Sequence, residues 1–123
     1  MHARVQSPPL KPTLLWDGDC GFCGRSAWRL ERRTGESVDY APYQTMLARF
    51  PEIPESALEH AVHLVESDGA VYHSAQAIFR ALMYAPRWSW ANRFYERSQI
   101  FAALSEWGYR RVANNRYLIS KVL

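Results

Sequence analysis

The sequence predicts an α/β domain with a mixed sheet and additional helices toward its C-terminal end. Three observations carry that prediction. A chain of 123 residues holds one compact domain, since a domain takes roughly 100 to 200 residues. In its first two thirds, short apolar runs bounded by Pro, Gly and Asp alternate with stretches of helical spacing, and the last third carries apolar residues at helical spacing. Apolar residues at 48% and charged residues at 22% lie near the averages of folded domains, which argues against a disordered or fibrous chain.

Residues 1 to 11 (MHARVQSPPLK) hold little that could pack and carry two adjacent prolines, so they read as a flexible or extended leader. Residues 12 to 123 then form the single domain. Thr13-Leu14-Leu15-Trp16, closed by Asp17-Gly18, suits a buried strand ending in a turn. From Gly21 to Thr34 the spacing is helical, with Phe22, Ala27, Leu30 and Trp28 inward and Arg25, Arg29, Arg32 and Arg33 outward. Gly35 is a natural C-terminal stop. Ser37 to Ala41 alternates Val38 and Tyr40 with polar neighbours, and Pro42 ends this second strand. Strand, helix and strand within about thirty residues make a βαβ unit, so the sheet starts parallel. Residues 44 to 50 (QTMLARF) read as a short helix before Pro51 and Pro54. His60 to Glu66 reads as a strand, Ser67-Asp68-Gly69 as a tight turn and Ala70 to His73 as the returning strand. Ser74 is placed to cap a helix from Ala75 to Tyr84 whose apolar face is Ile78, Phe79, Leu82 and Met83. From Trp90 to Leu123 the spacing of apolar residues, Tyr117, Leu118 and Ile119 included, fits one broken or two successive helices, with Gly108 as the break. The order β α β α β β α followed by helices is the thioredoxin-like core with an added C-terminal helical region.

Fifteen Lys+Arg against twelve Asp+Glu give a net charge of +3, an excess milder than that of a dedicated nucleic-acid binder. No apolar run approaches the ~18 residues of a spanning helix, and the N-terminus lacks a signal-peptide pattern. The expected protein is cytoplasmic, with neither membrane nor nucleic acid as a partner, and its oligomeric state is not encoded. Arg25, Arg29, Arg32 and Arg33, with Arg110, Arg111, Arg116 and Lys121, read as solvated helix faces before they read as a basic docking face. Trp88 and Trp90 beside Pro86 read as core, with an exposed binding patch as the other reading. Trp16 lines the rim of the motif that follows it or packs under the helix.

That motif is Cys20-Gly21-Phe22-Cys23, set where a strand ends and a helix begins. Unpaired N–H groups and the positive end of a helix dipole stabilise an anion there, which favours the Cys20 thiolate and lowers its pKa from about 8.5. Cys20 is the expected nucleophile. Cys23 lies within one helical turn, close enough for a disulfide, and as the less exposed sulfur it is the expected resolving thiol. Arg25 is close enough in sequence to add to thiolate stabilisation. The plain alternative is two buried cysteines acting as small hydrophobes. A zinc site needs two more ligands, from His60, His63 or His73. In a strand, positions 60 and 63 face opposite sides, which argues against one ion. No metal or cofactor is expected. Covalent haem would need His where Gly24 stands.

LLWDGDCGFC, with its aspartate and glycine ahead of the cysteines, resembles the DxxCxxC signature of the DCC thiol-disulfide oxidoreductase family. The resemblance covers nearly all of residues 12 to 120, through the Asp68-Gly69 hairpin, the helix Ala75 to Tyr84 and the closing Tyr109 to Tyr117 stretch with Asn115-Arg116-Tyr117. It implies a thioredoxin-like fold and redox activity, with Cys20 and Cys23 matching the family's cysteines and Asp17 its leading aspartate. It implies no particular substrate. Two features depart from thioredoxin itself: the dipeptide between the cysteines is Gly-Phe rather than Gly-Pro, and no proline directly precedes the His60 strand.

Asp17 has two readings. In one it accepts or relays the Cys23 proton; in the other Asp17 and Asp19 bond the turn and cap the helix. For the whole chain, the leading reading is a thiol-disulfide oxidoreductase acting on a protein or low-molecular-weight disulfide and recharged by an external thiol reductant. The alternative is a thioredoxin-like interaction module whose cysteines are not catalytic.

Overall fold

The computed structural model of the chain describes residues 4–116, so Tyr117, Leu118, Ile119 and Lys121 lie outside the described residues. Strand β1 (Thr13–Trp16), helix α1 (Gly21–Thr34) and strand β2 (Asp39–Pro42) form the first unit, and β1 pairs with β2 in parallel, Leu14 opposite Tyr40. Helix α2 (Glu55–His60) leads into a hairpin of β3 (His63–Val65) and β4 (Val71–His73), followed by α3 (Ser74–Leu82), α4 (Ser89–Arg97) and α5 (Gln99–Asn114). Strand β3 runs antiparallel to both β1 and β4, giving the order β2-β1-β3-β4. This is the thioredoxin-like α/β arrangement, with α4 and α5 as its C-terminal addition.

The inner residues of the central strands, Leu14-Leu15 and Leu64-Val65, are apolar because both faces of the sheet are covered. Neighbouring residues of a strand point to opposite faces. Leu14 and Leu64 pack with Val38, Ala77 and Ala81 on the side of α1 and α3. Leu15 and Val65 pack on the other side with Val5, Tyr43, Phe50, Ile53, Leu58 and Val71. A sheet buried on both faces reads as a continuous apolar run instead of an alternation. Each of these buried leucines contributes about 1.5 to 3 kcal/mol.

Several expectations need correction. The leader is not without packing: Val5 is in the core, Arg4 bridges Ala70, and the Val5 N–H donates to the Gly69 carbonyl at 2.9 Å. Gly69 has φ +94°, and a Cβ there would lie 2.9 Å from Val5 O, so both the turn and the leader require glycine. Residues 44 to 50 form no α-helix. Tyr43–Thr45 is one 3-10 turn and the rest are turns, because Tyr43 and Phe50 are both pulled into the core and Pro51 stops any extension. His60 ends α2 instead of starting a strand; Pro54 precedes that helix and Glu55 places a negative charge in its first turn. Ser74 does not cap α3. It is the first helical residue, at φ 59°, and its neighbour's N–H (Ala75) donates to Glu106 Oε1 at 3.1 Å. The C-terminal helices break at Ser98, whose hydroxyl accepts the Phe101 N–H at 3.1 Å, while Gly108 lies inside α5. Trp28, Trp88 and Trp90 are exposed, not core; Arg32 covers the Trp28 ring and Trp88 stacks on Trp90.

Candidate active site

The motif lies at the end of β1, where the chain turns into α1. Asp17 is buried and closes the turn, its Oδ1 accepting the Asp19 N–H at 2.9 Å. Gln44 spans the same turn from the far side of β2. It donates to Asp17 Oδ1 at 3.0 Å and accepts the Gly18 N–H at 3.0 Å. Cys20 is the N-cap of α1, in extended conformation, and its Sγ accepts the Cys23 N–H at 3.3 Å. Its sulfur therefore sits at the positive end of the helix, as expected. The exposures are the reverse of those expected. Cys20 is 2% exposed, because capping folds its Sγ back onto the first turn, whereas Cys23, one turn in, is half-buried and lines a cavity.

Arg116 joins the two parts of the motif. Its Nη2 pairs with Asp17 Oδ2 at 3.0 Å with both side chains largely buried, it donates to the Glu59 carbonyl, and its Nη1 lies 3.8 Å from Cys23 Sγ. The Cys23 pKa is pushed up to about 12, first by burial, then by its hydrogen bond to Cys20 and by the negative charge there; Arg116 pulls it down. Tyr109 of α5 stands beside the same sulfur, whose charge adds to the burial that raises the tyrosine, and its Oη accepts the Val62 N–H at 2.8 Å. Arg25, expected near the thiols, is folded over the first turn, with Nη1 3.4 Å from where a Gly21 Cβ would stand. Trp16 packs under the helix, 3.3 Å from where a Gly24 Cβ would stand, and also lines the cavity.

Two spaces flank this centre. A cavity of about 680 Å³ opens between α1, α3 and α5, with Cys23, Asp17 and Arg116 in its wall. A polar cleft of about 390 Å³ lies behind, lined by Asp17, Asp19, Glu59, His60, Asn114 and Arg116. The Asp17–Arg116 pair belongs to both walls. Among the described residues no three His, Cys, Asp or Glu side chains converge as a metal site. The strand argument against His60 and His63 falls with the strand itself, since His60 is helical. The imidazole beside His63 is His73, its cross-strand partner, with ring centres 5.7 Å apart.

The fold and the motif together define a thioredoxin-like domain with a dithiol at a helix N-terminus. The sequence model of the DCC1-like thiol-disulfide oxidoreductase family matches residues 14–122, and the chain belongs to that family. No curated protein and no solved structure matches it. Membership brings thiol-disulfide oxidoreductase chemistry as a class and thiol-based redox partners. Among the described residues no helix is long and apolar enough to cross a membrane.

Proposed function

We propose that the chain exchanges disulfides through Cys20 and Cys23, and that the mixed disulfide forms on Cys23 with Cys20 as the sulfur that resolves it. The observation that carries this assignment is the exposure order: Cys23 faces the cavity while Cys20 is buried. Burial and the charge on Cys20 hold the proton on Cys23, so the attack requires that proton to pass to Cys20 Sγ, and Arg116 is the neighbour that favours the Cys23 thiolate so formed. Cys23 attacks one sulfur of the substrate disulfide, the substrate S–S bond breaks, and the second substrate sulfur leaves and takes the proton from Cys20. Cys20, now a thiolate, attacks Cys23 Sγ, the mixed S–S bond breaks, and the first substrate half leaves as a thiolate that takes its proton from water, leaving a Cys20–Cys23 disulfide. Two electrons pass from the cysteine pair to the substrate. An external thiol reductant reverses these steps by attacking Cys23, and Cys20 departs onto the Cys23 N–H and the helix N-terminus. Asp17 is a positioning residue that holds Arg116 against Cys23. In this reading the substrates are protein or low-molecular-weight disulfides rather than nucleic acid, and the reaction runs in the cytoplasm, where free thiols persist.

The test separates the two sulfurs. Incubated with cell extract and resolved without reductant, Cys20→Ser is expected to accumulate mixed disulfides on Cys23, while Cys23→Ser accumulates none. The opposite result would return the attacking role to Cys20. A wild type that fails to exchange hydroxyethyl disulfide would reject the oxidoreductase reading. It would favour instead an interaction module, to which the exposed Trp90, Phe94, Ile100, Leu104 and Trp107 of α4 and α5 lend support.

A further inference from the structure

The cavity beside Cys23 is larger and more apolar than exchange at one sulfur requires. Its walls come from three helices: Phe22 and Leu30 of α1, Ile78, Phe79 and Leu82 of α3, and Val112 of α5. A volume of about 680 Å³ is that of a small-molecule site, which typically spans ~300 to 1,000 Å³. The charges on its walls are one-sided. Arg29, Arg33 and Arg116 line it against a single acid among the described lining residues, Asp17, and Asp17 is already paired with Arg116. Arg29 and Arg33 stand one turn apart on α1, with Arg33 Nη1 donating to the Arg29 carbonyl at 3.0 Å. The Arg33 guanidinium reaches across to the Trp88 ring, 5.6 Å from its centre. Six and ten residues separate Cys23 from these two arginines, which at 1.5 Å per helical residue is about 9 to 15 Å.

We infer that this cavity binds an amphipathic acid: a low-molecular-weight disulfide whose apolar body fills the space between α1, α3 and α5 and whose anionic group meets Arg29 and Arg33 while its sulfur reaches Cys23. The inference rests on the exchange reaction proposed above and names its substrate class. The apolar body is drawn from water by the walls, the acid balances the two arginines at the far end, and the helix sets the distance between acid and sulfur. The reaction is the balanced exchange already written: the ligand's S–S bond breaks, one half is carried on Cys23, and Cys20 releases it as the ω-mercapto acid.

Gly108 offers a clean test. It lines the cavity, a Cβ there would meet nothing within 4 Å, and leucine suits the interior of α5 better than glycine. Gly108→Leu therefore fills the cavity without weakening the helix. Binding is read with decanoate, and with decanol as its uncharged control, through calorimetry and the fluorescence of Trp16 and Trp88. Decanoate is expected to saturate the wild type and to bind at least about tenfold more weakly to Gly108→Leu. Arg29→Gln with Arg33→Gln should weaken decanoate about five- to tenfold and leave decanol unchanged, as two exposed charge pairs of about 0.5 to 0.7 kcal/mol each would. In exchange assays Gly108→Leu should raise KM for the disulfide of ω-mercaptodecanoate about tenfold, and by several times more than it raises KM for hydroxyethyl disulfide. Absent or unsaturable decanoate binding, or equal binding by Gly108→Leu, overturns the cavity as the site. Normal exchange of hydroxyethyl disulfide beside such a failure would leave the oxidoreductase reading standing. Decanoate binding with no exchange of either disulfide would overturn the substrate assignment together with that reading.

Discussion

Cys23 has neighbours that pull its proton affinity in opposite directions, and that opposition is measurable. Burial, the hydrogen bond to Cys20 and the negative charge of Cys20 raise its pKa, while Arg116 lowers it. Removing Cys20 therefore leaves burial as the main elevating cause, and Cys23 in Cys20→Ser should alkylate faster than in the wild type at the same mildly alkaline pH, since each unit of pKa alters the thiolate fraction about tenfold. Replacing Arg116 should slow it. Arg116→Gln also strips a buried carboxylate of its partner, which costs about 3 to 5 kcal/mol, so Arg116→Lys, which keeps the charge, is the control that should restore reactivity. Iodoacetamide rates followed against pH give the answer, and identical profiles in the wild type, Cys20→Ser and Arg116→Gln would discard the coupling. Little of this was legible from the chain. The Asp17 and CxxC motif is local and stands out. Gln44 and Arg116, which complete it, lie 27 and 99 residues from Asp17, and no local pattern marks them beyond the Asn115-Arg116 of the family resemblance. The reversed exposures were illegible for the same reason, because the space that opens on Cys23 is built by α3 and α5.

At the scale of elements, those with local causes were legible and those decided by tertiary packing were not. β1 and α1 have the predicted bounds because a turn, an N-cap position and Gly35 delimit them. Residues 44 to 50 and the His60 boundary were misread because Tyr43 and Phe50 anchor one segment in the core and Pro54 opens a helix that propensity alone did not reveal. Gly108 was read as a break on its intrinsic preference, yet α5 continues through it, so this glycine costs the helix stability. Gly108→Ala, with open space at its Cβ, should stabilise the protein by about 0.5 to 1 kcal/mol and raise Tm by roughly 2 to 6 °C. Ser98→Ala should do the reverse at the true break, losing about 1 kcal/mol with the cap that holds the Phe101 N–H. Thermal scans of both variants check the pair, and a Gly108→Ala protein that melts lower would show that the cavity wall needs glycine for a reason other than space.

For the molecule as a whole, the two-faced sheet sets a limit on pH. His63 is buried on β3, opposite Leu15 in register and therefore on the side of the Val5, Phe50 and Leu58 core. Its pKa is lowered from 6.5, first by burial and then by the neighbouring His73, while its hydrogen bond to the Ala61 carbonyl works the other way. The folded chain thus holds His63 neutral at a pH where the unfolded chain has begun to protonate it. Above 6.5 the two states bind the same number of protons at this site and its contribution is complete. As the pH falls below 6.5 the unfolded state takes up the proton first, and stability declines until the lowered folded pKa is passed. Denaturant unfolding on both sides of 6.5 should show this slope in the wild type and a flatter one in His63→Gln, whatever that substitution does to the level of stability. Equal slopes would mean that His63 titrates in the folded protein as it does in the unfolded chain, and that this face of the sheet admits water where the packing of Leu15, Val65 and Val71 closes it.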